Sequence, residues 1–272
     1  MLLLLPSAFL LLPKKMTLFS SHYLSLSQSS LKIQNNIKMN ANRDIAIMVG
    51  VLYLLAAVTA IIGFALYQPI LNDPDYIIKG SANETQVVWG AFNELILAFS
   101  VIGISVLMFP IINKENESIA IGYVCFRLLE ATLIIIGIIS LLSIVTLSQE
   151  FGKAVAPNAA SYITTGKLLV TIHNWTFLLG PNLALGPSTL MMSYFLYVSK
   201  LVPRFISVLG FIGGSLILSC ALLVMFGVFL QVSAWGAIFA IPVFAYEMSL
   251  AMRLIVKGFN SSQIYSSFSF NK

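Results

Sequence analysis

The sequence contains few charged residues. Asp, Glu, Lys and Arg make up 9% of its 272 residues, whereas an ordinary soluble domain has about 25%. A soluble protein with so few charges could not cover its surface with polar groups. Because 58% of the residues are hydrophobic, the composition excludes an ordinary soluble domain and indicates a protein that is solvated by lipid.

Cysteine and recognisable catalytic motifs are also scarce. Cys125 and Cys220 each lie inside an apolar run without a partner at metal-ligand spacing, which supports neither a disulfide framework nor a zinc site. Two histidines are too few for a three-histidine zinc centre. Walker, nucleophile-elbow, HExxH and dinucleotide-binding motifs are absent from the sequence. We therefore predict no cofactor and no metal, and an enzymatic role ranks below a non-enzymatic one.

The basic residues are dispersed rather than clustered. The net charge is +5, but most Lys and Arg residues lie in short segments between apolar runs. Such a distribution is a topology signal and does not form a surface that binds polyanions. We expect the lipid bilayer as a partner and no nucleic acid, while a protein partner or small ligand stays unknown.

Six apolar runs are long enough to cross a bilayer. A hydrocarbon core of about 30 Å takes about 20 helical residues, and open strands would leave their backbone groups unpaired in lipid. The sequence therefore predicts an all-α polytopic transmembrane bundle with six spans. The runs are residues 45–67, 88–111, 119–147, a part of 168–198, 205–230 and 234–256.

The distribution of Lys and Arg between the spans predicts the orientation. Eleven of these residues lie on the side of both chain ends, and three lie on the opposite side. Positively charged loops stay in the cytoplasm. We therefore predict that the N and C termini are both cytoplasmic.

Residues 1–38 precede the first span and fit no targeting pattern. Lys14 and Lys15 follow the first apolar stretch, whereas the charges of a secretory signal come before it. We expect Met39 to be the native start and residues 1–38 to be a non-native or disordered extension. Residues 39–260 then form one membrane domain, and residues 261–272 form a short polar cytoplasmic tail.

Four ionisable residues lie inside the predicted spans. Such residues are costly in lipid and are therefore functional candidates. They are Glu94, Arg127, Glu130 and Glu247. Arg127 and Glu130 are three residues apart and share one face of a helix. Because one positive charge meets three negative ones, we expect Arg127 to pair with Glu130 or Glu247, and at least one glutamate to be protonated.

Two functions are consistent with this intramembrane polar cluster. It could line a pocket that handles a small solute, a proton or a lipid. Alternatively, the charges could be a structural clamp in a non-catalytic scaffold or regulatory subunit, since interhelical polar contacts commonly stabilise membrane bundles. The residues alone do not decide between them.

The fourth span has two further features. His173, Asn174 and Trp175 form a candidate site at the outer interface, where Trp is commonly enriched, and a lone His there is more often a satisfied interfacial residue than a ligand. The whole run 168–198 would be about 46 Å long as one helix. Either its first turns project outward, or it bends at Pro181 and Pro187, and a bend is favoured over a broken helix.

Six segments together carry a family resemblance. They are GVLYLLAAVTAIIG from Gly50, NELILAFSVIGISVLMFPI from Asn93, GYVCFRLLEATLIIIG from Gly122, HNWTFLLGPNLALG from His173, SKLVPRFISVLGFIGG from Ser199 and PVFAYEMSLAMRLIVKGF from Pro242. Over about residues 40–259 the chain resembles domain-of-unknown-function family 4386, with FRLLE and YEMSL as the more specific elements. The resemblance implies a six-span multi-pass protein of a prokaryotic plasma membrane, but it brings no substrate, reaction or catalytic residue.

Overall fold

A computed structural model describes residues 12–73, 76–79, 83–153 and 159–260, and this part of the chain is helical without β-strands. A π-helical segment, Leu179–Ala184, joins α5 to α6. The α-helices are α1 (Leu12–Leu71), α2 (Tyr76–Lys79), α3 (Glu84–Ile112), α4 (Glu117–Lys153), α5 (Ala159–Leu178), α6 (Leu185–Ser199), α7 (Arg204–Met225) and α8 (Ala234–Val256).

The chain divides into two compact units. The first, Met1–Asp44, contains the beginning of α1, and the second, Ile45–Lys272, contains the remaining helices. The predicted tail, residues 261–272, lies outside the described residues, as do residues 1–11 of the predicted extension. That residues 1–38 are a non-native extension stays a prediction.

Six helical stretches are long and apolar enough to cross a bilayer, which confirms the predicted all-α, six-span architecture. This architecture is that of a multi-pass membrane protein. That both chain ends face the cytoplasm stays a prediction. The stretches are Asn42–Leu71, Glu84–Ile112, Glu117–Lys153, Ala159–Ser199, Arg204–Met225 and Ala234–Val256.

The fifth span is shorter than its apolar run predicts. The run continues to Leu230, but α7 ends at Met225. The cause is Gly227, whose φ of 74° lies in the left-handed region that a helix cannot continue through. The connection to α8 is therefore longer than predicted. Ser233 then caps α8 by accepting a hydrogen bond from the Gly236 N–H at 3.2 Å.

Neighbouring helices approach closely where glycine replaces a side chain. A Cβ atom on Gly213 of α7 would lie 2.7 Å from the backbone of Val243 on α8, and one on Gly50 of α1 would lie 2.8 Å from the Ala251 carbonyl oxygen of α8. Gly63 of α1 likewise faces α3. Since α3 packs along α4, α6 along α7, and α7 along α8, the contacts of α1 with α3 and α8 close the bundle.

The fourth span is one continuous helical stretch whose register changes at its first proline. That its first turns project beyond the bilayer stays a prediction. Its helix begins at Ala159, well before the apolar run, and its register widens to a π-helix around Pro181. The chain stays helical through both prolines, so the span is distorted rather than broken. The π-helical segment lies against α4, because a Cβ atom on Gly180 would lie 3.3 Å from the Glu130 carbonyl oxygen.

Candidate functional site

Arg127 and Glu130 form an ion pair inside the bundle. Their Nη1 and Oε2 atoms are 3.1 Å apart, as expected for residues one helical turn apart on α4. The two residues are only 2% and 4% exposed. The pair predicted from the spacing is therefore present and deeply buried.

Glu247 of α8 joins the same guanidinium. Arg127 Nη2 lies 3.5 Å from Glu247 Oε1, so the two predicted pairings occur together rather than as alternatives. We call Arg127, Glu130 and Glu247 the Arg127 triad. Because its members come from α4 and α8, the triad connects two helices that are distant in the sequence.

Aromatic rings surround the guanidinium of the triad. Its Cζ atom lies 5.9 Å from the ring centroid of Tyr53 on α1 and 5.6 Å from that of Tyr123 on α4. A guanidinium at this distance from an aromatic face is stabilised by cation–π attraction. The Tyr246 hydroxyl of α8 is also near enough to interact electrostatically with Arg127 and Glu247.

Several buried polar atoms at this level of the bundle lack a partner at ordinary hydrogen-bond geometry. Such atoms are rare in folded proteins and call for a water molecule, an ion or a ligand. They include Arg127 Nε and the hydroxyls of Tyr53 and Tyr123. The triad therefore lies among unused hydrogen-bonding groups rather than in a purely apolar core.

Glu94 does not join the triad. No ion pair or hydrogen bond links it to Arg127, Glu130 or Glu247 within the described part of the chain. The reason is geometric: Glu94 is near the start of α3, Arg127 is near the start of α4, and consecutive spans run in opposite directions. The four predicted residues therefore occupy two sites, with Glu94 in the second.

Glu94 lies against α1 and belongs to a second polar site in the bundle. It is 8% exposed, and its Cγ atom lies against Gly63, where a Cβ would come within 2.9 Å. The Tyr67 hydroxyl of α1 is close enough to interact with the Glu94 carboxyl, although it meets no acceptor at full hydrogen-bond geometry. Glu94 also lines a cavity of about 70 Å³ together with His173.

His173, Asn174 and Trp175 do not form one site. His173 is 5% exposed, whereas Trp175 is 47% exposed and Asn174 is also exposed. Consecutive helical residues are rotated by about 100°, so they point to different faces. The buried imidazole stacks on Phe177 with ring centroids 6.2 Å apart. His173 is therefore an interior residue of the bundle, and it lines the same cavity as Glu94.

The grouping of Glu94 with His173 is the feature that sequence reasoning missed. A signal was present, because the predicted orientation puts the start of the second span, where Glu94 lies, on the outer side of the membrane, and His173 was expected at the outer interface. The sequence did not show that the two residues line the same cavity. Among the described residues, no group of three His, Cys, Asp or Glu side chains could hold a metal ion.

Comparison with known proteins identifies one family. The family model described as domain of unknown function (DUF4386) matches residues 48–258. None of the curated proteins and none of the solved structures matches the chain. The matched region contains all five ionisable residues of the two sites.

Proposed function

The chain belongs to the DUF4386 family, a domain of unknown function, and on that premise we propose that this multi-pass membrane protein binds and releases a proton at the Arg127 triad. The wider class is a protein that handles a small solute, a proton or a lipid in the plasma membrane. Within that class, the charges of the triad favour the proton.

The charge count of the triad carries this proposal. One guanidinium meets two carboxyl groups in the interior of the bundle. If both were ionised, the triad would hold one uncompensated negative charge, and a buried unpaired charge costs about 3–5 kcal/mol. A single proton on the two glutamates makes the triad neutral, and ionisable groups inside membranes commonly form proton relays.

Glu247 is the member placed to exchange this proton. Its oxygen is 3.5 Å from the guanidinium, whereas that of Glu130 is 3.1 Å away, and its side chain is 20% exposed against 6% for Glu130. The weaker ion pair and the greater exposure both favour proton exchange at Glu247. Glu130 then serves as the fixed anionic partner of Arg127.

The buried hydroxyls supply a route for the proton. Tyr246 is adjacent to Glu247 on α8, and Ser193 of α6 faces Tyr246 across Gly210, since a Cβ there would meet both side chains. A hydroxyl both donates and accepts hydrogen bonds. A chain of such groups can therefore pass a proton between Glu247 and the interior of the bundle.

Proton flux into liposomes tests the proposal. The purified full-length protein is reconstituted with a pH-sensitive dye inside, and a potassium diffusion potential drives protons inward. We expect faster acidification with the wild type than with empty liposomes. E247Q is expected to return the rate to that of empty liposomes, because glutamine keeps the shape of the side chain but cannot take up a proton.

Glu150 provides the matched control. It pairs with Lys153 at 3.6 Å, but its side chain is 60% exposed, so E150Q removes a carboxyl of the same type outside the buried site. E150Q should retain the wild-type rate. Equal rates for the wild type and E247Q, with both proteins correctly inserted, would reject the triad as a proton-handling site.

A non-catalytic scaffold or regulatory subunit is the second candidate function. The observation that favours it is that Arg127 joins α4 to α8 and contacts Tyr53 of α1. In that case E247Q lowers the unfolding temperature and leaves proton flux unchanged. A partner protein recovered in mild detergent, and lost with E247Q, would support the scaffold.

A further inference from the structure

The cavity at Glu94 has a mainly apolar lining that includes polar groups from two helices. Its volume is about 70 Å³, and its polar lining comes from Glu94 of α3 and from His173 and Thr176 of α5, with Gly137 of α4 between them. One water molecule needs about 10–15 Å³ of such space. The cavity can therefore hold a ligand of only a few heavy atoms.

These polar groups are mainly hydrogen-bond acceptors. The Thr176 hydroxyl donates to the His173 carbonyl oxygen at 2.9 Å, so its remaining capacity is to accept. His173 lies against the Gly137 backbone, to which one of its ring nitrogens can donate, and the other nitrogen of a neutral imidazole is an acceptor. The Glu94 carboxyl, which lies beside the Tyr67 hydroxyl, adds acceptor oxygens. A ligand of this cavity must therefore donate hydrogen bonds.

Charge and aromatic surroundings favour a cation. Glu94 has no ion pair with any residue that the structure describes, although it is buried. Tyr67 lies edge-on to the imidazole at 5.8 Å between centroids, and Phe177 stacks on it. Tyr67 also lies beside the Glu94 carboxyl, so these aromatic side chains exclude bulk water from it, which strengthens the attraction between a buried carboxylate and a cation.

The ligand set also selects the kind of cation. Alkali and alkaline-earth ions prefer oxygen ligands throughout, and transition metals need more nitrogen or sulfur ligands than one imidazole. An N–H donor suits both the carboxylate and the imidazole nitrogen. We propose that this cavity is a second binding site, separate from the Arg127 triad, for an ammonium ion or a short primary amine.

Phe177 controls access to this site. Its ring lines the Glu94 cavity and also a wider cavity of about 330 Å³ that reaches the connection between α7 and α8. Phe64 of α1 stacks on the same ring with centroids 5.9 Å apart. Gln231 and Asn182 supply polar groups to the wider cavity. An amine therefore passes from the wider cavity to Glu94 by displacing one aromatic ring.

Calorimetric titration with ammonium chloride tests the site on the full-length protein in detergent micelles. Sodium chloride at the same ionic strength is the reference. We expect saturable binding of ammonium, no comparable binding of sodium, and a dissociation constant for ammonium that is about tenfold weaker or more in E94Q, because a charged hydrogen bond is lost. E150Q should bind like the wild type.

Gly137→Ala provides a second variant that keeps the carboxylate. A Cβ atom at this position would lie 2.9 Å from Thr176 Oγ1 and 3.4 Å from His173 Nδ1, so it fills the space beside both side chains. We expect it to weaken ammonium binding at least as much as E94Q does. If E94Q fails to fold, this variant and the comparison of ammonium with sodium decide the question.

Two results would overturn the inference. One is equal heats with ammonium and sodium. The other is unchanged ammonium binding in Gly137→Ala. E247Q separates the two proposals, because it should abolish proton flux while leaving ammonium binding intact. Ammonium binding that disappears in E247Q would instead mean that the two sites are not separate.

Discussion

A double-mutant cycle on Arg127 and Glu247 measures the interaction that joins α4 to α8. The single variants are R127Q and E247Q, and the cycle compares the free energies of unfolding of the wild type, both singles and the double. An exposed pair on α4 serves as a matched control. Lys153 and Glu150 are 3.6 Å apart, almost the same distance as the 3.5 Å of the buried pair.

The expected coupling free energy of each pair follows from the distance between its charged atoms and from the exposure of its side chains. With Glu247 ionised, its charge and that of Arg127, about 3.5 Å apart, would attract by about 5 kcal/mol at an effective dielectric constant of about 20 before desolvation is subtracted. The shared proton of the triad reduces this attraction to that of a charged hydrogen bond. Measured couplings between polar side chains in membrane bundles average about 0.6 kcal/mol and reach about 1.7 kcal/mol. Because Arg127 is 2% exposed, we expect a coupling at the upper end, about 1–1.7 kcal/mol. For the control pair, whose side chains are 71% and 60% exposed, we expect less than about 0.5 kcal/mol.

Reversible unfolding in mixed detergent micelles, or steric trapping in bicelles, provides the free energies. The cycle isolates the contact between Arg127 and Glu247, since the pair with Glu130 is affected equally in the single and double variants that carry R127Q. Equal coupling energies for the buried and exposed pairs would refute the reasoning that burial makes this contact a link between helices.

Three further variants test helix packing and the hydrogen bonds of the segment after α8. Gly213→Ala should lower the free energy of unfolding by about 1–3 kcal/mol, because its Cβ would lie 2.7 Å from the Val243 backbone. Gly152→Ala is the control: its Cβ would have nothing within 4 Å, so it should be neutral or slightly stabilising in the same denaturation assay. Asn260→Ala should lower the free energy of unfolding by about 1–3 kcal/mol. Asn260 accepts a hydrogen bond from Arg253 Nη2 at 2.6 Å and donates one to the Lys200 carbonyl oxygen at 2.7 Å, and both are lost in this variant. An unchanged thermal midpoint for Asn260→Ala would show that the segment after α8 is not held by this residue.

Local sequence predicted the number of spans and one of the ion pairs. Length and hydrophobicity of a span are properties of the span itself, so six spans could be read without any tertiary information. Arg127 and Glu130 are one turn apart, which makes their pairing a consequence of helical geometry. Glu247 could be named as the alternative partner because few charges exist in the bundle, but the sequence did not show that both glutamates share the guanidinium.

The remaining features depend on packing between helices. Glu94 was grouped with the triad because all four residues are intramembrane charges, but in the bundle it lines a cavity with His173 instead. The end of α7 was missed because Phe226 and Leu230 are apolar, and hydrophobicity does not reveal the backbone conformation of Gly227. Neither the position of Glu94 in the bundle nor the backbone conformation of Gly227 can be predicted from the hydrophobicity of a single span.

Infrared spectroscopy of the protein in liposomes tests most directly whether the Arg127 triad holds a proton. A protonated carboxyl gives a C=O stretching band that shifts when D₂O replaces H₂O. We expect such a band at neutral pH in the wild type, a weaker band in E247Q, where Arg127 and Glu130 balance each other, and a stronger band in R127Q, where both glutamates need a proton. Identical carboxyl bands in the wild type, E247Q and R127Q would contradict the assignment of a proton to the triad.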